Sequence, residues 1–203
     1  MTPTAVTIHN TGNPRSTARN ERMWLTNPSN NRIASFHYAV DATEIIECIP
    51  PNEVAWHAGN RTGNRTSIGI EICESGDYDG NVRNGARLAA KLLKDIGRTV
   101  NDLRQHFDWS RKDCPWKIRR GHGGWTWDAF GSEVERLMNT DGARLTINGR
   151  NVNAPVKNVG GRLMIRTRGE MDDVWVEVRP LTEALGGSIT WDDATKTARM
   201  VIR

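Results

Sequence analysis

Long hydrophobic runs are missing from this chain of 203 residues. No apolar stretch approaches the roughly 20 residues that a membrane-spanning helix requires, so we expect no membrane insertion. The first residues, Met1-Thr2-Pro3-Thr4, lack the basic and apolar segments of a secretory signal. The sequence therefore predicts a protein that is made and folded in the cytosol.

Cysteine is scarce, and the three residues Cys48, Cys73 and Cys114 make an odd number. Without a secretory signal, this count argues against a disulfide framework. Cys48 and Cys73 lie in apolar runs and are expected in the core. Cys114 lies in a polar, basic segment, where neighbouring cations favour the thiolate form.

The chain also lacks a long run of like charge, although 28 Lys and Arg against 24 Asp and Glu give a net charge of +4. A modest positive excess favours anionic partners, such as nucleic acid or another anionic polymer. The clustered aromatic and basic stripes of nucleic-acid-binding proteins are missing, so we predict no nucleic-acid partner.

Hydrophobic periodicity predicts strands that alternate with helices in the first two thirds of the chain. Such alternation is typical of an α/β fold around one sheet. The composition changes at residues 139–142, beyond which short strands, turn residues and one short helix at 179–185 are expected. We predict two domains, residues 1–139 and a small β-rich domain at 140–203. The predicted strands of the first are residues 5–8, 34–40, 44–49 and 67–73, and its helices are about 16–26, 82–96 and 127–138.

A histidine and a cysteine eight positions apart, His106 and Cys114, are candidate metal ligands. Imidazole and thiolate are common protein ligands of Zn²⁺. Their spacing is too long for one helical face and suits a strand end, a loop and a return. His9, which ends the apolar run at residues 5–9, is the best candidate for a third ligand. Three protein ligands with one open position are the pattern of a catalytic zinc site.

Two charged residues are candidates for acid–base and electrostatic roles. Glu71 interrupts an apolar run, where a buried carboxylate without a partner is costly. It is either an outward-facing residue of a half-exposed strand or a general base whose pKa is raised by apolar surroundings. Lys112 alone would be an ordinary solvated lysine, but beside a zinc ligand it could reach the oxyanion of a tetrahedral intermediate.

The remaining histidines carry weaker signals. His37 lies between two aromatic residues in a predicted strand, which favours a packing role. His57 lies in a loop bounded by glycine and could contact substrate or only support the loop. His122 lies among glycines, and we assign it no role.

Taken together, these features resemble the zinc-dependent N-acetylmuramoyl-L-alanine amidases of the type-2 class, a family related to peptidoglycan recognition proteins. The resemblance implies a mixed central β-sheet flanked by helices, and one Zn²⁺ held by His9, His106 and Cys114. It assigns Glu71 as the base and Lys112 as the oxyanion stabiliser. The matching motifs follow the family's order over residues 4–138: Ile8-His9-Asn10-Thr11, Ser35-Phe36-His37-Tyr38, Ala55-Trp56-His57-Ala58-Gly59, Ser67-Ile68-Gly69-Ile70-Glu71, and His106 to Cys114-Pro115.

One position departs from the family pattern. Some relatives carry a catalytic tyrosine just before the histidine at position 37, whereas this chain has Phe36, which has no hydroxyl group. More of the proton transfer would then depend on Glu71. We assign Phe36, together with His57, to substrate binding.

The C-terminal segment resembles the small module named after the N-terminal domain of copper amine oxidases. The segment contains no His and no Cys, so copper binding is not expected. We interpret it as a wall-attachment or targeting domain, for which an anionic wall polymer is a candidate partner. The matching stretches are Val176-Glu177-Val178-Arg179-Pro180-Leu181, Glu183-Ala184-Leu185-Gly186-Gly187 and Trp191-Asp192.

The expected function is hydrolysis of the amide between N-acetylmuramic acid and the L-alanine of the stem peptide in bacterial peptidoglycan. A phage or prophage endolysin, which reaches the wall after holin-type release or lysis, is the expected setting. Two alternatives are a cytosolic wall-recycling amidase that acts on anhydro-muropeptides and a non-catalytic peptidoglycan-binding module. Cys114 argues against the last, because many non-catalytic relatives lack that thiol.

Overall fold

The computed structural model describes residues 1–139, 144–148, 150–152, 156–159, 162–168, 173–192, 194 and 197–202. The chain divides into two compact units, Met1–Met138 and Asn139–Arg203. The predicted composition change at residues 140–142 lies outside the described residues. None of the described helices has the length and apolar character that a membrane crossing requires.

A five-stranded mixed sheet forms the centre of the first unit, with strand order β3-β2-β4-β1-β5. β1 pairs in parallel with β4 and β5, β2 pairs in parallel with β4, and β3 closes one edge in antiparallel pairing with β2. The mixed α/β architecture expected from the sequence is therefore confirmed. The strands are β1 (Ala5–Asn10), β2 (Tyr38–Val40), β3 (Ile45–Glu47), β4 (Ser67–Ile72) and β5 (Leu103–Gln105).

Six α-helices accompany this sheet, and apolar residues of the third and sixth helices pack in its core. The third helix carries Leu88, Leu92 and Leu93 into that core, as its helical periodicity predicts. The helices are α1 (Ala18–Thr26), α2 (Arg61–Thr66), α3 (Tyr78–Asp95), α4 (His106–Ser110), α5 (Trp116–Arg119) and α6 (Trp127–Asn139). Short 3₁₀ turns occur at Val100–Asp102 and His122–Gly124.

The two faces of β1 have different chemistry. Val6 and Ile8 are buried in the apolar core, whereas the alternate residues Thr7 and His9 are buried polar groups. Thr7 Oγ1 donates to Ser67 Oγ at 2.8 Å, so its hydroxyl is satisfied inside the fold. Because side chains alternate along a strand, His9 lies on this polar face of the sheet.

Three local expectations differ from the structure. The strand predicted for residues 34–40 is limited to Tyr38–Val40. Residues 61–66, for which no helix was predicted, form α2, whose first turn is capped by the Asn60 side chain, which accepts from Gly63 N at 2.7 Å. The segment predicted as a loop after His106 begins with α4, where the Asp108 carboxylate accepts from Gln105 N at 2.8 Å. In each case a short-range cap or a neighbouring strand determines the backbone conformation.

The described residues of the second unit are β-rich and include one helix, as predicted. Its strands form a three-stranded sheet of order β10-β9-β8 and a four-stranded sheet of order β11-β12-β6-β7. Leu163, Val178, Ile189, Ala198 and Met200 make its buried apolar cluster. The elements are β6 (Arg144–Ile147), β7 (Arg150–Val152), β8 (Val156–Val159), β9 (Arg162–Arg168), β10 (Asp173–Glu177), α7 (Val178–Ala184), β11 (Ser188–Asp192) and β12 (Thr197–Val201).

Candidate metal centre and pocket

Three buried side chains, His9, His106 and Cys114, converge at one end of the central sheet. Their candidate ligand atoms all lie within 4.8 Å of one another. His9 Nδ1 is 3.0 Å from His106 Nδ1 and 3.7 Å from Cys114 Sγ. The pairing of β5 with β1 brings His106 close to His9, because β5 ends at the residue just before His106.

The return of the chain after α4 brings Cys114 to the two imidazoles. Arg111 ends the helix in the left-handed region with φ of 63°. Phe107 N then donates to Cys114 O at 3.0 Å, and Cys114 N donates to Lys112 O at 2.7 Å. The next helix is held to β1, since Asn10 Oδ1 accepts from Lys117 N at 3.2 Å. Backbone hydrogen bonds on both sides therefore fix the position of the thiol.

Burial keeps the cluster uncharged in the absence of a cation. Loss of hydration lowers the pKa of His9 well below 6.5, and it lowers the pKa of His106 to about 4. The same cause raises the pKa of Cys114 to about 12, with the carboxylate of Glu71 as the next contribution. In the metal-free protein, desolvation therefore opposes the Cys114 thiolate that the basic segment was expected to favour, and it outweighs the effect of Lys112.

The two separations that involve His9 fit a tetrahedral zinc ion. Zn–N bonds of about 2.0–2.1 Å and a Zn–S bond of about 2.3 Å place two nitrogens about 3.3 Å apart and a nitrogen and a sulfur about 3.6 Å apart. The separations of 3.0 Å and 3.7 Å lie close to these values. A buried set of two neutral imidazoles and one thiol is also the donor chemistry that zinc prefers.

Glu71 lies beside this cluster and has no hydrogen-bond partner for one carboxyl oxygen. Its Oε2 atom is buried and unpaired, although the residue as a whole is only half-buried. Desolvation, followed by the negative charge of Glu21, raises the pKa of Glu71 to about 8. A carboxyl group of this kind can accept and release a proton near neutral pH.

Lys112 contributes a positive charge at the mouth of the pocket. The residue is exposed, and its ammonium group lowers the pKa values of His9 and His106 and opposes the rise at Glu71. Lys112 therefore faces the same space as the candidate ligands and the candidate base. A cation in this position can stabilise negative charge that develops on a bound carbonyl oxygen.

His57 lies beneath the cluster, where both of its ring nitrogens are engaged. Its Nδ1 is 3.0 Å from His9 Nε2, and its Nε2 is 3.1 Å from Ser67 O. Burial lowers the pKa of His57 to about 3. Its predicted contact with substrate stays a prediction.

Phe36 lines the pocket, but its ring packs mainly inside the unit. It is 4% exposed and stacks on Trp24 with ring centroids 6.4 Å apart. His37 accepts from Gly69 N at 2.9 Å and contacts Glu53 O at 3.1 Å, which agrees with its expected packing role. Substrate contact by Phe36 stays a prediction.

A pocket of about 420 Å³ contains the cluster and extends along α1. This volume lies in the range typical of small-molecule sites. Four further lining residues were assigned no role from the sequence, namely Glu21, Trp24, Arg32 and Trp56, the last of which lies inside a recognised motif. Glu21 and Trp24 lie three residues apart on α1, a spacing that puts both on one helical face, but nothing in the sequence indicates that this face borders the site.

Comparison with known proteins shows the family to which the first unit belongs. The family model described as N-acetylmuramoyl-L-alanine amidase (Amidase_2) matches residues 1–117. The chain is 45% identical over 122 residues to the N-acetylmuramoyl-L-alanine amidase CwlA of Bacillus subtilis (strain 168), a match that covers 56% of this chain and 43% of CwlA. It is 38% identical over 147 residues to XlyB of the same organism, covering 68% of this chain and 44% of XlyB.

The solved structure of the catalytic domain of XlyA is similar in fold. It superposes with a TM-score of 0.60 at 38% identity, and the match covers 66% of this chain and 86% of that chain. The similarity thus extends over most of a catalytic domain, whereas the chain spans less than half the length of the curated relatives CwlA and XlyB.

Proposed function

The chain belongs to the family of N-acetylmuramoyl-L-alanine amidases, and we propose that it hydrolyses the amide bond between N-acetylmuramic acid and the L-alanine of the stem peptide in peptidoglycan. The observation that carries the proposal is the convergence of His9, His106 and Cys114 beside an unpaired Glu71 carboxyl oxygen. The relatives CwlA and XlyB are named N-acetylmuramoyl-L-alanine amidases, which supports the choice of this bond.

In this proposal His9, His106 and Cys114 would hold one Zn²⁺. Zinc held there supplies Lewis acidity, which polarises a carbonyl group and makes water acidic enough to attack near neutral pH. The chain's own contribution is a buried set of donors that fixes the ligand geometry.

Glu71 acts as the general base. Its Oε2 takes a proton from the attacking water as the new carbon–oxygen bond forms at the lactyl carbonyl. The protonated carboxyl then donates this proton to the leaving nitrogen as the carbon–nitrogen bond breaks. The products are the lactyl carboxylate of the sugar and the free amino group of L-alanine, and Glu71 returns to its starting state.

Lys112 stabilises the oxygen that gains negative charge during attack. Its ammonium group faces the same space as Glu71, and its charge acts at short range in a partly desolvated pocket. Trp56, which is 59% exposed, and Arg32 extend the pocket lining beyond the cluster. We propose that His57 and Phe36 take part in forming the floor under the bound substrate.

Bacterial peptidoglycan is the proposed partner of the first unit, and an anionic wall polymer is a candidate partner of the second. The interpretation of the second unit as a wall-attachment domain and the net charge of +4 for the whole chain support the latter proposal. That the protein reaches the cell wall after holin-type release or lysis stays a prediction.

Digestion of purified sacculi tests the proposed reaction. We expect release of peptides with a free N-terminal L-alanine and of glycan with free lactyl carboxylates, both identified by mass spectrometry. A chelator should abolish this release, and added Zn²⁺ should restore it. Cleavage at a sugar–sugar or peptide–peptide bond would overturn the assignment. Faster turnover of soluble anhydro-muropeptides than of sacculi would favour the wall-recycling alternative, and binding without release would favour a non-catalytic module.

A further inference from the structure

We propose that His57 is a positioning residue that fixes the ring of His9 with its Nδ1 lone pair directed at His106 and Cys114. The inference rests on the proposed metal site but not on the identity of the substrate. It gives His57 a role that acts through His9 and requires no contact between His57 and the bound molecule.

A chain of hydrogen bonds determines where the protons of these two rings lie. Ser67 O can only accept, so the Nε2 atom of His57, 3.1 Å away, carries the hydrogen. In the neutral ring, His57 Nδ1 then has a lone pair and accepts from His9 Nε2 at 3.0 Å. His9 therefore has its hydrogen on Nε2, and its Nδ1 atom is free to bind a cation.

The space around His57 leaves its ring little freedom. A Cβ atom on Gly69 would lie 2.7 Å from the Cγ and Nδ1 atoms of His57, so the ring packs directly on the backbone of β4. On the other side, Asn64 Oδ1 accepts from the backbone N of His57 at 3.0 Å and from Ala58 N at 2.7 Å. The ring and its backbone are thus held from both sides.

The position of His9 explains why this arrangement matters for metal binding. Its Nδ1 is 3.0 Å from His106 Nδ1, too close for two unshared lone pairs without a proton or a cation between them. A ligand histidine usually donates its other ring N–H to a fixed acceptor, which sets the tautomer and the orientation of the ring. His57 supplies that acceptor here, and Ser67 O fixes His57 in turn.

His37 provides a matched comparison within the same fold. It is fully buried and its ring lies 5.6 Å from that of His57. Its ring nitrogens, however, bond to the backbone at Gly69 and Glu53 and not to a candidate ligand. Loss of the His37 nitrogens should therefore lower stability without changing the tautomer of His9.

Ring-nitrogen NMR on the ¹⁵N-labelled, metal-free protein tests the inference without any variant. We expect the hydrogens on Nε2 in both His9 and His57, and on zinc addition we expect the Nδ1 signal of His9 to shift. A hydrogen on Nδ1 of His9 in the metal-free protein, or a zinc-induced shift at its Nε2, would overturn the proposal.

Zinc affinity, measured by competition with a chelator, gives a second test on His57→Phe, His57→Asn and His37→Phe. His57→Phe keeps the ring volume without an acceptor and should lose about 10–100-fold in affinity. His57→Asn keeps an acceptor oxygen close to the Nδ1 position and should recover most of that loss, while His37→Phe should match wild type. Equal zinc affinity in wild type and His57→Phe would refute the role. Zinc binding that depends on His57 in a protein without amidase activity would instead refute only the proposed function.

Discussion

Glu71 lies directly opposite His9 in the parallel pairing of β4 with β1. Partners in register present their side chains on the same face of a sheet, so the carboxyl group and the imidazole share one end of the pocket. The pairing explains how a carboxylate inside an apolar strand comes to face a candidate metal centre. It also explains why its Oε2 atom is buried without a protein partner.

Replacement of Glu71 by Gln should abolish most of the activity while zinc stays bound. The amide keeps the size of the side chain but cannot take a proton, and general bases contribute about 10²–10⁴-fold to rate. The measurement is turnover on sacculi together with zinc content by elemental analysis. Glu135→Gln, at an exposed position on α6, is the matched control and should keep both. Near-full activity in Glu71→Gln would refute the role of base.

Glu71 should also make the stability of the metal-free protein depend on pH. Its pKa is raised from 4.5 to about 8 by burial, so between these values the folded state holds a proton that the unfolded state has released. The contribution of Glu71 to the free energy of unfolding should therefore fall as the pH rises from 4.5 to 8. Above pH 8 this contribution should stay constant.

The variant Glu71→Gln isolates that contribution. Its stability relative to wild type should increase between pH 4.5 and 8 by on the order of a few kcal/mol. Histidines with lowered pKa values act in the opposite direction below pH 6.5, but they are present in both proteins and cancel in the difference. Urea unfolding of chelator-treated protein at several pH values measures this. A difference that does not change with pH would contradict the raised pKa.

Cys114→Ser should remove zinc from the purified protein. A serine hydroxyl is a much weaker zinc ligand than a thiolate, and two histidines alone leave the ion weakly held. Zinc content after dialysis is the measurement. Cys73→Ser provides the control, because Cys73 is also buried but packs with Phe36 and Ala39 in an apolar cluster that contains none of the candidate ligands. The Cys73→Ser control should lose stability and keep zinc. Full zinc occupancy in Cys114→Ser would count against the proposed ligand set.

A buried ion pair supports the segment that carries Cys114. Glu74 Oε2 lies 3.6 Å from Lys117 Nζ, with the side chains 2% and 10% exposed. The other oxygen of Glu74 accepts from Gly12 N and from Trp116 Nε1, each at 2.9 Å. This carboxylate thus links the loop after β1 to the helix that follows Cys114.

Removal of Glu74 should lower the stability of the protein far more than removal of Glu44, whose partner Arg19 is exposed. Glu74→Ala leaves a buried ammonium group without its counter-charge, which typically costs about 3–5 kcal/mol. Glu44→Ala breaks the pair with Arg19, whose side chain is 70% exposed, and should cost less than about 1 kcal/mol. Chemical denaturation compares the two, and similar costs would show that the buried pair contributes little.

The sequence alone predicted which residues could carry the chemistry of the site. It did not predict which residues surround them. His9, Glu71, His106 and Cys114 were recognisable because each lies in a short motif with its own pattern. Alternation along β4 puts Glu71 and Gly69 on one face, but the sequence does not show why a glycine stands at position 69. Only the folded chain shows that the ring of His57 occupies the space where a Gly69 side chain would lie.

Other features depend on contacts that no local pattern encodes. Glu21 affects the pKa of Glu71 across the pocket, and the two are fifty positions apart in the sequence. The basic residues near Cys114 suggested a thiolate, whereas the burial that reverses this preference arises from the packing of the whole unit. Similarly, α4 could not be expected from its five residues, because the cap from Asp108 and the pairing of β5 set its start.

The separation of 105 positions between His9 and Cys114 has a consequence for biosynthesis. On the ribosome, the first imidazole emerges long before the thiol, and the sheet that unites them requires strands from almost the entire first unit. If this candidate site binds zinc as proposed, uptake would follow translation of this unit, because a nascent chain stalled before residue 114 would offer only a partial and weaker set of donors.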